Sequence, residues 1–324
     1  MPTRIGTSLE TAVRCLESGR LVAIPTETVY GLAGNALDPR VVARIFSVKG
    51  RPSFDPLIVH LSAAEEVFRY ASAVPDAAQR LMEAFWPGPL TMVLPRRAVI
   101  PDIVTAGLPT AAFRVPRHPV AQALLKRLPF PLAAPSANRF ARLSPTRPEH
   151  VMEQLAGKIS YILDGGPTEV GVESTIVRVA DDGKAAWLLR PGGIPAEAVE
   201  KVLGMPLLSP EHSHIQAPGQ MKRHYSPAVP LMLVDDLAAW IGRHGIPDAT
   251  AFLAFHTLPA GVVQGAVLSP SGNLEEAAAR LFAVLHRFEK DDRVRRIVAE
   301  KVPETGLGRA INDRLRRAAA EPPT

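Results

Sequence analysis

The chain has little of what staples or anchors a protein. Among its 324 residues there is one cysteine, Cys15. That excludes an intrachain disulfide framework and a cysteine-rich zinc centre. Cys15 falls on an amphipathic stretch and reads as a packing residue. Apolar runs are short, and none approaches the ~20 residues that cross a bilayer. The opening MPTRIGTSLETAVRCLESGR alternates polar with apolar residues and lacks the apolar core of a signal peptide. A soluble, cytoplasmic protein with no membrane partner is the expectation. Surplus charge is also scarce: 37 Lys and Arg face 32 Asp and Glu, a formal net charge of +5. That is too small to mark a protein that coats nucleic acid. The surplus is local as well, because residues 280–317 hold 11 basic and 6 acidic side chains and the rest of the chain is neutral. With RLRRAAA near its end, this stretch reads as a solvated helical face.

Familiar catalytic signatures are missing too. There is no GxxxxGK[ST] phosphate loop, no GxGxxG after a strand and no HExxH. Ser136, in APSAN, lacks the glycines of a nucleophile elbow, which argues against a Ser-His-Asp hydrolase. The nine histidines show no tight metal-ligand spacing, and His212 and His214 read as solvated.

What is present is a folded chain with much proline. It is 47% hydrophobic, enough for a sizeable core. Its 32 prolines are about twice the usual ~5% share. Short apolar runs of strand type alternate with amphipathic helices. The strand candidates are RLVAIP (20–25), PLIVHL (56–61), LTMVL (90–94), AAFRV (111–115), PLAA (131–134), YILD (161–164), STIVRV (174–179) and AAWLL (185–189). Helices are predicted over 9–17, after the Asp38–Pro39 start, after a Ser62 cap with Glu65 behind it, and over 76–85, 118–127, 148–156 and 196–203. This mixture predicts a twisted α/β sheet domain over 1–205. Residues 206–228 are polar, hold four prolines and have no period, which is the character of an interdomain linker. The strand–helix alternation then restarts and predicts a small parallel α/β domain over 229–324.

Polar residues cluster at the edges of the apolar strands, where α/β proteins build sites. PTETVYGL (25–32) follows the first strand, and KGRPSFDPLIVH (49–60) sets Lys49 and Arg51 before a proline turn. Arg114 sits inside a strand, SANRFARLSPT (136–146) is rich in hydroxyls and amides, and ESTIVR and LLRPGG place Ser174 and Arg190 at strand ends. Taken singly, each is explained by a loop cap or a surface ion pair. Together, Lys49, Arg51, Arg114 and Arg190 in a neutral domain suit a polyanionic ligand, since guanidinium forks bind phosphate and carboxylate bidentately.

In their order along the chain, PTETVYGL, the K-x-R-P turn with PLIVH, the Arg-bearing strand, SANRF…SPT, GVESTIV and LLRPGG resemble the YrdC-type threonylcarbamoyl-AMP synthases. The restart after residue 206 is similar to the long, two-domain form of that family, with APGQMKRHYSP as its linker and GLGRAINDRLRRAA as its final helix. The resemblance implies a YrdC-like twisted mixed-sheet catalytic domain followed by a small Rossmann-like parallel α/β domain. It also implies a reaction: L-threonine, bicarbonate (or CO2) and ATP give threonylcarbamoyl-AMP and pyrophosphate, with magnesium. A downstream transferase then modifies adenosine 37 of tRNA, so tRNA is an indirect partner only. Carried over by motif, Thr28, His60, Arg114, the Ala134 backbone and Ser174 would hold threonine. Lys49, Arg51, Asp55, Thr110, Ser136, Ser144, Arg190, His224 and Tyr225 would surround ATP. Lys49 and Arg51 are the electrostatic candidates for catalysis, and no metal ligand from the protein is implied. Asp55 departs from relatives that carry an uncharged polar residue there, and a carboxylate beside a triphosphate needs magnesium or an arginine next to it.

This chemistry needs no covalent nucleophile. A carbamate oxygen attacks the α-phosphorus and pyrophosphate leaves, so positioning and charge stabilisation suffice, and no general base is assigned. The 206–228 segment is expected to fold over the site as a lid that shields the labile carbamate and adenylate. Two other readings remain. A carbamoyl-transfer protein of the hydrogenase-maturation type would need zinc-finger cysteines, and a non-enzymatic RNA-binding module would need a basic face outside 280–317.

Overall fold

In the computed structural model, residues 2–209 and 224–320 are described. Ten strands form one mixed sheet. In chain order they are β1 (Arg4–Gly6), β2 (Val22–Ile24), β3 (Gly31–Asn35), β4 (Ile58–His60) and β5 (Leu90–Pro95). These are followed by β6 (Thr110–Arg114), β7 (Leu132–Ala133), β8 (Tyr161–Leu163), β9 (Thr175–Val179) and β10 (Ala186–Arg190). Their spatial order is β1-β8-β2-β3-β7-β4-β6-β5-β9-β10. Two pairings position the site. β4 lies parallel to β6 with His60 opposite Arg114, and β5 lies parallel to β9 with Leu90 opposite Thr175.

The second sheet holds β11 (Leu231–Val234), β12 (Thr250–Ala254), β13 (Gly265–Val267) and β14 (Arg296–Glu300), in the order β11-β14-β12-β13. Every pairing in it is parallel, as the alternating pattern predicted. None of the described helices is long and apolar enough to cross a membrane.

Local chemistry explains the elements that deliver the site. Asp38 caps the Pro39–Lys49 helix by accepting from the Arg40 N–H at 2.9 Å, with proline in the first turn, and Gly50 ends it in the left-handed region at φ 64°. Lys49 therefore stands at a helix end, and the K-x-R-P turn begins at once. The Ala196–Leu203 helix buries Val199 and Leu203 in the main core of the ten-stranded sheet. The core of the second sheet is shared. Val29, Leu143, Val172 and Tyr225 pack into it beside Phe282, Ile311 and Leu315. Cys15 is buried in a core cluster, in keeping with a packing role.

Several expectations need correction. Two strands, β1 and β3, were not predicted. Ser62 caps no helix: a short 3-10 turn starts after Ala63, and the Ser62 N–H is instead received by the Glu66 carboxylate at 3.0 Å. The final helix, Gly308–Ala319, is no solvated face. Ile311, Asn312, Arg314 and Leu315 are all buried in it.

Candidate active site

The cavity is built where loops from distant segments are zipped together. Thr26 closes the turn after β2: its hydroxyl donates to the Val29 carbonyl at 2.6 Å and accepts from the N–H groups of Thr28 and Val29. The next residues pair with the PLAAPSAN loop. Leu32 N–H donates to Pro135, Ala137 N–H to Tyr30, and Gly31 bridges Ser136. A Cβ on Gly31 would stand 3.2 Å from that of Ala134, so the two loops meet backbone to backbone. At the other wall, Gly192 lies so close to the Glu173–Ser174 backbone that a Cβ would fall 2.3 Å from it. The RPGG turn thereby seats Arg190 against Ser174, whose carbonyl accepts from Arg190 Nε at 3.1 Å.

These walls enclose a cavity of about 40 Å³. Thr28, Arg51, His60, Arg114, Ala134, Ser136, Ser174, Arg190, His224 and Tyr225 all line it. Ten of the residues expected from the sequence are thus brought together. Three more lie one layer behind. Lys49 Nζ donates to the carbonyls of Ser136 and of Asn138, the latter at 2.7 Å, and so braces the APSAN loop. Asp55 forms an ion pair with Arg51 at 2.8 Å, which supplies the arginine neighbour that a carboxylate in this place requires. Ser144 donates its hydroxyl to Glu173, which is itself a wall residue. Thr110 is different. It pairs with Pro95 at the entry end of β6, four residues and so ~13 Å from Arg114, and is not among the lining residues. Of the 206–228 segment, residues 210–223, with His212 and His214, lie outside the described residues. His224 and Tyr225 are buried over the cavity.

The sequence reading missed the acids. Glu27, from the PTETVYGL motif, pairs with Arg114 at 2.8 Å. Arg114 also donates from Nη1 to Thr28 at 2.9 Å and from Nε to Gly88 at 3.2 Å. A guanidinium has five N–H groups, so donors remain for a ligand. Glu173 pairs with Arg314 at 2.7 Å. The useful signal was the charge balance: a neutral domain with several buried arginines must bury carboxylates with them.

Burial and neighbours tune these groups. Burial pushes the Glu27 carboxyl up, but the Arg114 charge and hydrogen bond outweigh it and leave it below the usual range. The same contest lowers Glu173, where Arg314 and then Arg190 prevail. At Asp55 burial wins over Arg51 and Lys49, and the pKa rises. Burial and then the Arg114 charge push His60 down to about 3, so it is neutral and donates from Nδ1 to the Ile58 carbonyl at 3.3 Å. Burial and then Arg51 likewise hold Lys49 well below its usual value. Among the described residues no three His, Cys, Asp or Glu side chains form a metal-binding group.

A mixed sheet carrying a cationic cavity at its strand ends, backed by helices of a second, parallel-sheet unit, defines a two-part α/β fold. Comparison with known proteins makes this specific. Residues 14–192 match the Sua5/YciO/YrdC family model, described as telomere recombination, and residues 194–320 match the threonylcarbamoyl-AMP synthase C-terminal domain. The chain belongs to the Sua5/YrdC family. The threonylcarbamoyl-AMP synthase of Pyrococcus abyssi is 41% identical over 318 residues, which cover 94% of this chain and 92% of that protein. The Bacillus subtilis protein of the same name is 41% identical over 322 residues, covering 95% and 92%. The crystal structure of P. abyssi Sua5 complexed with L-threonine superposes with a TM-score of 0.87 at 37% identity, covering 98% of this chain and 96% of that one.

Proposed function

We propose that this protein is an L-threonylcarbamoyladenylate synthase, a nucleotidyltransferase that joins L-threonine, bicarbonate or CO2 and ATP into threonylcarbamoyl-AMP with release of pyrophosphate. The observation that carries the reading is the convergence of Arg51, Arg114 and Arg190 on one cavity that also presents Thr28, His60 and Ser174. Three cations suit two anionic substrates, a carboxylate and a triphosphate. The likeness of the whole chain to relatives of that name supports it. The alternatives fit less well. A chain with one cysteine lacks zinc-finger cysteines, and its second half matches the synthase C-terminal domain.

In this reading Arg114 takes the threonine carboxylate. Glu27 on Nη2, Thr28 on Nη1 and Gly88 on Nε fix its plane, and the second N–H groups of Nη1 and Nη2 are the donors for the ligand. His60, the Ala134 backbone and Ser174 surround the amino acid. Arg51 and Arg190 face the phosphates, while Ser136, Asp55, Ser144 and Lys49 order the loops that carry nucleotide contacts. The chemistry is phosphoryl transfer by positioning: the carbamate oxygen is held in line with the α-phosphorus, and the guanidinium groups offset the charge as pyrophosphate leaves. The carboxylates of the site are each engaged by an arginine, Glu27 by Arg114, Asp55 by Arg51 and Glu173 by Arg314. Magnesium would therefore come with the triphosphate rather than from a protein carboxylate, and it would supply charge screening there. The product passes to a transferase acting on adenosine 37 of tRNA.

A cavity of about 40 Å³ admits small molecules of water or bicarbonate size, at ~10–15 Å³ for each water. ATP requires the segment bearing His224 and Tyr225 to withdraw and then re-close, which makes it a lid. The His224 Nδ1 atom and the Tyr225 hydroxyl are buried without hydrogen-bond partners among the described residues, as groups awaiting a polar ligand would be. Pyrophosphate release is the test, with ATP and bicarbonate plus threonine, serine or neither. Threonine should stimulate release and serine much less, whereas release independent of the amino acid would sink the assignment. In the same assay, alanine at both 224 and 225 should raise the KM for ATP by about tenfold or more.

A further inference from the structure

The second half backs the cavity wall, and one of its side chains touches two wall residues. Arg314, on the Gly308–Ala319 helix, has a side chain only 1% exposed. Its Nε donates to Glu173 at 2.7 Å, Nη1 to Asp313 at 2.6 Å and Nη2 to the Pro191 carbonyl at 3.1 Å. Its guanidinium carbon lies 4.9 Å from the centre of the Tyr225 ring. Glu173 and Tyr225 are both cavity-wall residues, and Pro191 follows Arg190 directly. The neighbouring Arg316 forms its pair with Glu304 at half-exposed positions, as ordinary surface arginines do.

We propose that Arg314 is a positioning residue for the nucleotide: from the accessory half it neutralises Glu173 and holds Tyr225 in the cavity wall, so that the phosphate site is complete only when the two halves are docked. The proposal rests on the nucleotide reading given above.

Two physical arguments support it. Glu173 shares the wall with Arg190, and a carboxylate without its own partner would turn to that guanidinium and repel an incoming polyanion. With Arg314 on one oxygen and the Ser144 hydroxyl on the other, both oxygens of Glu173 are engaged. Tyr225 has φ 61°, a left-handed conformation that is strained for a bulky residue and persists only where the surroundings impose it. Those surroundings are Arg314 on one face of the ring and Phe282, also from the accessory half, 5.7 Å away between ring centres. A second contact braces the same wall. His286 Nε2 donates to the Ser144 carbonyl at 3.1 Å.

Direct binding of ATP and of threonine to the full-length protein tests this, by calorimetry and apart from turnover. In Arg314→Met, ATP should bind at least about tenfold more weakly while threonine stays within about twofold. Adding Glu173→Gln should recover at least about threefold of the lost ATP affinity, because it removes the carboxylate left without a partner. A purely structural role would weaken both ligands together and give no recovery. If Arg314→Met fails to fold, Arg314→Lys alone and with Glu173→Gln gives the same comparison. Unchanged ATP affinity, equal loss of threonine, or no recovery in the double variant overturns the proposal. A wild type that does not bind ATP overturns the nucleotide reading and this proposal with it. Threonine-independent turnover by a wild type that does bind ATP overturns only the assigned reaction.

Discussion

The two sheets put different things at the ends of their strands. In the ten-stranded sheet, His60 ends β4, Arg114 ends β6 and Arg190 ends β10, and all three line the cavity. In the four-stranded parallel sheet, the place where α/β proteins usually bind ligands is closed by the chain itself. Glu300, ending the inner strand β14, accepts from the Leu237 N–H at 3.3 Å and from the Phe255 N–H at 3.0 Å, and Lys301 pairs with Asp235 beside it. The small sheet has the architecture of a ligand-binding domain with its crevice filled. Fold alone therefore does not locate function here. What separates the sheets is whether the strand-end side chains line a cavity or are covered by the chain.

The sharpest way to break this comparison is Arg114→Met. It removes the donors assigned to the threonine carboxylate and leaves Glu27 buried without its partner. Threonine-dependent pyrophosphate release should fall at least ~100-fold, with a stability loss of ~3–5 kcal/mol. Adding Glu27→Gln should return stability, read by urea unfolding, and leave activity low. Recovery of both would make the pair structural.

The seam between the halves offers a second test. His150 and His286 stack with ring centres 3.9 Å apart, and Lys290, Arg142 and Arg147 stand near them. Burial, helped at His150 by its partner ring, pushes them down to about 3 and about 4 from 6.5. The folded protein thus binds fewer protons than the unfolded chain between those values and 6.5. Stability is complete above pH 6.5 and is lost as pH falls through that window, by up to ~2 kcal/mol for each histidine at pH 5. Thermal melts at pH 7.5 and 5 should show a smaller acid-induced drop in His286→Phe than in wild type. An equal drop would place the acid sensitivity elsewhere.

The smallest effect should come from Glu300→Gln. Turnover should remain within about twofold while unfolding free energy falls by ~1–3 kcal/mol. Lost turnover at unchanged stability would mean that the filled crevice takes part in function after all.

Much of this arrangement was legible in the chain. The cavity arginines stood out because cations at strand ends of a neutral domain need a reason. The parallel second sheet followed from simple alternation. β3 has no strand signal because its GLAGN sequence has no apolar run, and glycine is needed at 34, where a Cβ would fall 2.6 Å from Val41. Thr110 was placed by motif, which carries no information on which end of a strand a residue occupies. Arg314 was hidden among the charges of RLRRAAA. The clue was its phase: Ile311, Leu315 and Ala318 mark the buried face, and position 314 falls on it.

The zipped loops have one more consequence, for how the protein comes to exist at all. Arg114 meets Thr28 across 86 residues of chain, Lys49 meets Asn138 across 89, and Glu173 meets Arg314 across 141. Such closures are entropically costly and come late, so they slow folding relative to a chain built from local contacts. The site has no local precursor. It appears only as distant segments of the chain find one another.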